Sequence, residues 1–558
     1  MSFLGRERLL FGPWSAFERA FVRYFLHLGY PQVEYTGGPG DKGCDILVVS
    51  EDLKKRVIQC KFSYSSKPAN KSGVDDLQRA CISYDADGGI LCINSKTLAP
   101  SAYEKLQRLN DEGFNLDLWR WKEIKHKMEY LPEYSLSKKE LRNYQKDAVR
   151  AAINSLKASA RALVEMATGL GKTVVMAEVI SKFLQEKSNL RVLILARSNP
   201  LISQGERAIW SQLPKHVMTH ILSGSEKPII DSGITVSTFD SLKSDLKNNR
   251  EIPEFDLVVV DECHWAHAES YAEVIDVVSR NCMLMGVTAT PWRGDKKDIT
   301  EIFGDPIFKK GIIEGISEGW LANIDYKMFH DDINWDLVTE LSKESHTIKS
   351  LNSKLFLPSR DEEQVEKVIA EWDSMDQPKL ISFCQTVSHA KRLCDVFNKN
   401  GLPSRIIVGD HTEKERAEIF TDFRMGKFSN LIGVDILNEG VDIPDVELVV
   451  FCRLTHSRRI FIQQLGRGLR VTDSKDRVKV LDFVADIRRL GALAKLNRAA
   501  KNEEVYRDTG AEHVNFGIKL HSLFVEEYLA DVADLDEFES PKLDFINPEH
   551  PDIINLED

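Results

Sequence analysis

The chain has 558 residues, too many for one hydrophobic core, so three or four domains are expected. With 42% hydrophobic and 29% charged residues the composition is globular and excludes extended disorder. A net charge of −12 excludes nucleic-acid binding through an overall positive surface and leaves only a local basic cleft or channel for it.

The nine cysteines are scattered, with no C-x-x-C, which argues against a zinc knuckle and a disulfide framework. No apolar run approaches the length of a membrane span, and the opening M-S-F-L-G-R-E-R lacks a signal-peptide core. The expectation is a soluble cytoplasmic protein with no membrane partner. In residues 15–28, Phe17, Phe21, Tyr24, Phe25 and Leu28 recur at helical spacing and predict an amphipathic helix, with Glu18 beside the apolar stripe. A turn is expected at G-G-P-G, residues 37–40, followed by strands at 44–49 and 56–61. Gln59 and Lys61 are two apart on the second strand and so share a face, while Asp45 opens the first. A carboxylate, an amide oxygen and a lysine can then converge as a divalent-metal site with a cation beside it, and Mg²⁺ accepts few protein ligands.

These residues carry a resemblance. The run G-G-P-G-D-K-G-C-D-I-L-V, with V-I-Q-C-K-F after it, is similar to the Mrr-like restriction endonucleases of the PD-(D/E)xK fold. The resemblance covers residues 1–130 and implies Mg²⁺-dependent DNA cleavage by Asp45, Gln59 and Lys61, with Glu18 completing the site. Lys61 would orient or deprotonate the attacking water. The other reading is a domain that grips DNA without cutting it. In W-R-W-K, residues 119–122, base stacking competes with core packing, and both tryptophans are expected on one face of a last strand, in the core.

Residues 131–140 read as a linker. Beyond it, the apolar run 161–165, the Gly-rich turn M-A-T-G-L-G-K-T at 166–173 and a helical pattern form a phosphate-binding loop. Thr168, Gly169 and Gly171 would curl round an anion at a helix's positive end. Lys172 would reach the β- and γ-phosphates of ATP, and Thr173 would hold Mg²⁺. Met166 stands where Gly or Ala is usual. A strand at 257–260 ends in D-E-C-H, which places Asp261 to hold Mg²⁺ through water and Glu262 to polarise the attacking water.

With T-A-T at 288–290, this set resembles the superfamily 2 helicases of the Asp-Glu-x-His type. The resemblance implies adenine reading by Gln145, nucleic-acid contacts near Arg197, Ser198, Gln204, residues 236–239 and Arg293, and a link from ATP to movement through His264. In D-I-L-N-E-G-V-D-I-P, residues 435–444, Asp442 matches a motif of restriction-subunit helicases. Q-Q-L-G-R-G-L-R, residues 463–470, puts Arg467 and Arg470 on one helical face, to reach across the cleft to the γ-phosphate.

The expected architecture is α/β: a PD-(D/E)xK nuclease, RecA-like lobes at 141–325 and 326–490, and a helical, acidic extension at 491–558. The basic residues of 487–501 are expected on a solvated helix face and the acidic tail as a solubilising segment. The resemblance implies an ATP-dependent helicase or translocase that cuts duplex or single-stranded DNA, in prokaryotic restriction or phage defence, with a possible protein partner from a defence operon. A helicase with a non-cutting recognition domain, or an RNA helicase, is the alternative.

Overall fold

In the computed structural model the described residues are 2–37, 43–64, 68–197, 199–222, 233–248, 250, 252–266, 268–289, 299–311, 314–315, 318–330, 361–384, 386–434, 446–452, 477–484, 506–508 and 511–515. The first unit is built on helices α1 (Arg6–Phe11) and α2 (Trp14–His27). Its strands are β1 (Gln32–Tyr35), β2 (Ile46–Val49), β3 (Lys55–Lys61), β4 (Gly88–Ile93) and β5 (Leu116–Trp119). Helices α3 (Ser72–Tyr84), α4 (Pro100–Asp111) and α5 (Trp121–Glu129) complete it. The strands pair in sequence order, antiparallel through β3 and parallel from β3 to β5. Phe17, Phe21 and Phe25 pack α2 on one face, and Val74 and Leu77 pack α3 on the other.

Trp119 packs among Phe21, Tyr24 and Phe25, as a core residue should. Trp121 is also partly buried, but it opens α5, so the strand ends earlier than the sequence pattern suggested. The expected turn falls mostly on residues 38–42, outside the described residues.

The second unit contains α6 (Asn143–Ser159), β6 (Arg161–Met166), α7 (Lys172–Glu186), β7 (Arg191–Ala196), α8 (Asn199–Trp210), β8 (Thr219–Leu222) and β9 (Gly233–Thr238). It continues through α9 (Phe239–Lys247), β10 (Leu257–Asp261), α10 (Glu269–Ser279), β11 (Met283–Thr288), α11 (Thr300–Phe303) and β12 (Pro306–Lys310). Its seven strands run parallel in the order β12-β6-β11-β10-β7-β9-β8. Helices cover both faces, so β6, β7, β10 and β11 read as continuous apolar runs rather than alternating ones.

The third unit begins with β13 (Asn323–His330), α12 (Asp361–Ser374), β14 (Leu380–Phe383), α13 (Val387–Lys399), β15 (Ser404–Ile407), α14 (Glu413–Arg424) and β16 (Asn430–Gly433). Strands β17 (Leu448–Phe451), β18 (Arg477–Val484), β19 (Tyr506–Asp508) and β20 (Ala511–Asn515) follow. The sheet order is β15-β16-β14-β17-β18-β13-β20-β19. Residues 506–515 were expected in a helical extension. Of these, 506–508 and 511–515 instead form the antiparallel strands β19 and β20, and β20 adds to β13, since backbone pairing with a neighbouring edge outweighs local composition. The basic stretch 487–501 and the acidic tail from 516 lie outside the described residues. Among the described residues no helix is long and apolar enough to cross a membrane.

The segment after α5 is not a free tether. His27 Nε2 lies 2.9 Å from the Pro132 carbonyl, the Ser135 hydroxyl donates to Leu26 O, and Lys215 N donates to Glu133 O at 2.7 Å. The first unit docks on the second through arginines. Arg8 donates to Thr219 O at 2.7 Å, Arg23 donates to Val217 O at 2.5 Å and Pro214 O at 3.2 Å, and Arg19 lies 3.3 Å from Glu206. Burial lowers the Arg23 pKa to about 9, Arg8 adds to the fall, and Glu206 opposes it. Removing one side of such buried bonds leaves carbonyls unsatisfied. Arg23→Ala is expected to weaken this docking by about 3 kcal/mol. Calorimetry should then resolve an earlier, separate unfolding transition for residues 2–130, and an unchanged single transition would count against it.

Candidate active sites

The nucleotide site forms where β6 and β10 end. Gly169 and Gly171 have φ of 90° and 89°, a region open to glycine without strain. A Cβ on Gly171 would also lie 2.4 Å from Gln145 Nε2. Lys172 opens α7, and its Nζ lies 3.4 Å from Glu262 Oε1. Glu262 follows β10 with φ of 49°, a left-handed conformation that a non-glycine residue holds only where its surroundings fix it.

The electrostatics separate the two acids. Burial and the adjacent Glu262 push the Asp261 carboxyl up to about 6, against the pull of Lys172. Burial also opposes charge on Glu262, but the Lys172 ammonium and the His264 ring outweigh it and hold that carboxyl below the usual range. His264 Nδ1 lies 3.3 Å from Glu262 and 3.0 Å from Thr288 Oγ1. It therefore connects the Glu262 carboxylate to the end of β11. The next residue, Trp265, carries the Arg197 guanidinium 4.1 Å from its ring centroid.

These residues fit a nucleotide with its metal. The buried Thr168 hydroxyl has no hydrogen-bond partner among the described residues, and Asp261 sits where a cation would lower its pKa. Thr168, Gly169, Gly171, Lys172 and Thr173 share one loop and the first turn of its helix.

Gln145 occupies a place that adenine reading alone does not require. Its Nε2 donates to Leu170 O at 2.8 Å, and its Oε1 accepts from Arg142 N at 2.9 Å, closing a capping box at the start of α6. The Tyr144 hydroxyl donates to the same Leu170 carbonyl at 2.8 Å. Each end of the amide thus bonds a protein group, and the residue braces the phosphate loop.

The second site lies in the first unit. Asp45 immediately precedes β2, and its Oδ2 accepts from Gln59 Nε2 at 2.6 Å and from Cys60 N at 2.5 Å. That orientation leaves Gln59 Oε1 buried with no partner among the described residues, an oxygen donor suited to a cation. Glu18, on α2, accepts from the Tyr35 hydroxyl at 2.7 Å. Burial and the adjacent Glu18 raise the Tyr35 pKa, and the Asp45 charge adds to the rise. Lys61 shares the Gln59 face and pairs with Asp76 of α3 at 2.7 Å. Among the described residues no three His, Cys, Asp or Glu side chains form a metal cage, so the donors here are two acids and an amide.

Sequence reasoning missed Tyr35 and Asp76. A lone tyrosine on a short strand and an acid on a helical face carry no pattern of their own; only the fold places them. Arg467, Arg470 and Asp442 lie outside the described residues, as do Ser198, Thr290, Arg293 and the side chain of Gln204.

Comparison with known families agrees with this geometry. Residues 12–128 match the Mrr-type family described as "Restriction endonuclease", residues 138–293 match "Type III restriction enzyme, res subunit", and residues 362–472 match "Helicase conserved C-terminal domain". The chain therefore carries an Mrr-like restriction endonuclease domain followed by the two domains of a superfamily 2 helicase, which form the two further units of the fold. Within that class it is similar to the Type I restriction enzyme EcoAI endonuclease subunit of Escherichia coli. The two are 28% identical over 62% of this chain and 46% of that one. It is also similar to the DNA 3'-5' translocase XPB2 of Sulfurisphaera tokodaii, 27% identical over 60% of this chain and 80% of that one. For several of the curated relatives it matches, the EcoAI subunit among them, the chain spans about half the length, 46–58%. The structure of the ATP-dependent Type ISP restriction-modification enzyme LlaBIII, solved bound to DNA, shares the fold. Its TM-score is 0.52 at 16% identity, covering 92% of this chain and 42% of that chain.

The bracing role of Gln145 makes a prediction. Gln145→Leu should raise KM about tenfold, the loss of roughly 1.4 kcal/mol of loop support, and by a similar factor for ATP and GTP. A large loss confined to ATP in steady-state assays would restore adenine reading as its main role.

Proposed function

We propose that the chain is an ATP-driven DNA translocase that cuts DNA with Mg²⁺ through its first domain, in prokaryotic restriction or phage defence. The observation that carries the motor half is the convergence of Lys172, Glu262, His264 and Thr288 at one sheet edge. Lys172 binds the terminal phosphates, Thr173 and Asp261 hold the metal of bound ATP, and Glu262 orients the water that attacks the γ-phosphate. Arg467 and Arg470 are proposed to complete the site from the second lobe. An arginine in that role is worth on the order of 10³–10⁵ in rate. Asp442 is proposed to join the nucleotide to the nucleic acid.

The nuclease half rests on Asp45 and Gln59 meeting at 2.6 Å with the amide oxygen left for a ligand. Asp45, Gln59 and Glu18 would hold a divalent cation, which supplies charge neutralisation at the scissile phosphate when bound. Lys61, steadied by Asp76, orients the attacking water and takes up or relays its proton. The likeness to restriction-enzyme subunits supports DNA as the substrate and a defence setting, including a partner protein from the same operon.

Two variants separate the halves. Lys172→Ala is expected to lower DNA-stimulated ATP turnover by about 10²–10³-fold or more, since it removes a charge aimed at the transferring phosphoryl. Undiminished turnover would remove the assigned site. Lys61→Ala is expected to abolish cleavage of a DNA panel in Mg²⁺ while ATP turnover persists. If cleavage survives, the first domain is a recognition module. Stimulation of the ATPase by RNA and not by DNA would overturn the choice of nucleic acid.

A further inference from the structure

We infer that Glu34 is the mechanical joint through which movement of the motor lobes reaches the nuclease site. The inference rests on the reading above of a two-lobed motor joined to a nuclease. Glu34 lies near the end of β1 with its side chain only 14% exposed. Its Oε2 is 3.6 Å from Arg207 on α8, in the first motor lobe. Its Oε1 pairs with Arg424, the last residue of α14, in the second lobe. One carboxylate of the nuclease is thus held by both halves of the motor.

The two grips differ in rigidity. The nuclease is bound to the first lobe by the buried Arg8, Arg19 and Arg23, by Arg207 donating to Val33 O at 3.1 Å, and by Lys215 donating to Leu131 O at 2.6 Å. It must therefore move with that lobe. Arg424 belongs to the other lobe. Its carbonyl accepts from Lys379 at 2.8 Å, and the neighbouring Asp422 is held by Arg405 at 2.9 Å and Lys427 at 2.8 Å. When nucleotide draws the lobes together or lets them part, Arg424 shifts relative to Arg207. Glu34 cannot follow both.

What lies beside Glu34 gives the strain a destination. Tyr35 holds Glu18 at 2.7 Å, and Thr36 N donates to Asp45 O at 2.8 Å. In the β1–β2 pairing, Tyr35 faces Ile46, the residue after Asp45. A Cβ on Gly37 would come within 2.9 Å of Glu18 Oε2 and 2.7 Å of the Tyr35 hydroxyl, so the backbone here is packed directly on the carboxylate. Three successive residues therefore bind the motor, one metal-site acid and the backbone of the other. Displacing the first moves the next two, and the nucleotide state sets the geometry of the cutting site.

The test uses the full chain with DNA, comparing no nucleotide with a non-hydrolysable ATP analogue. In the wild type, cleavage should change at least severalfold between these states, and hydrogen exchange of amides 32–36 should change with it. In Glu34→Gln both differences should collapse to less than twofold while DNA-stimulated ATP turnover is kept. Arg424→Gln breaks the same pair from the motor's side and should give the same result. Nucleotide dependence retained in both variants, or exchange at 32–36 indifferent to nucleotide in the wild type, would overturn the joint. A wild type that never cuts would instead overturn the nuclease reading, and the exchange measurement alone would then decide the joint.

Discussion

The ion pair between Lys172 and Glu262 sets the arrangement of the motor's first lobe. The two residues lie 90 positions apart in the chain and meet only because β6 and β10 end on the same edge of one parallel sheet, with β11 between them. That intervening strand delivers Thr288 to His264, so the pair has a built-in neighbour that ties it to the end of β11. Burying charge at the end of an apolar sheet is costly unless each group is matched. Here Lys172 is matched by Glu262, and Glu262 by His264 as well. Asp261, the member with the least compensation, is the one whose pKa rises, and it is the one proposed to meet a metal.

In the first unit Asp45 accepts from an amide and a backbone N–H, and Lys61 is drawn to Asp76. The lysine is thereby kept on the site's face without neutralising the acid beside the proposed metal position. Both sites thus leave a buried polar group for a ligand to complete: the Thr168 hydroxyl in one and Gln59 Oε1 in the other.

Much of this was legible in the sequence because it is local. A strand, a glycine turn and a lysine at a helix start lie within a dozen residues, and α7 begins at Lys172 as such a pattern requires. The alternation that put Gln59 and Lys61 on one face is a property of any strand. What escaped depends on partners far away. The motif that marks Gln145 gives no sign that its amide also holds Leu170 O and closes the α6 capping box. Trp121 sits beyond a strand end that no composition marks. Residues 511–515 became a strand because β13 offered an edge. The partners of Arg8, Arg23 and Glu34 lie about two hundred residues or more away for the first two and on both sides of the motor for the third, and no periodicity reports such distances.

The docking of the nuclease on the first lobe has a consequence for how such a fusion changes over time. Most acceptors in that contact are main-chain oxygens, those of Thr219, Val217 and Pro214 on the motor and Val33 and Leu131 on the nuclease. Every amino acid supplies that oxygen. Substitutions at those positions leave the docking chemistry intact as long as the backbone path is kept, whereas the arginines have no substitute of equal reach and fork. The positions that supply these oxygens are therefore free to drift on both units without undoing the contact. The constraint is concentrated in a handful of arginines and Lys215.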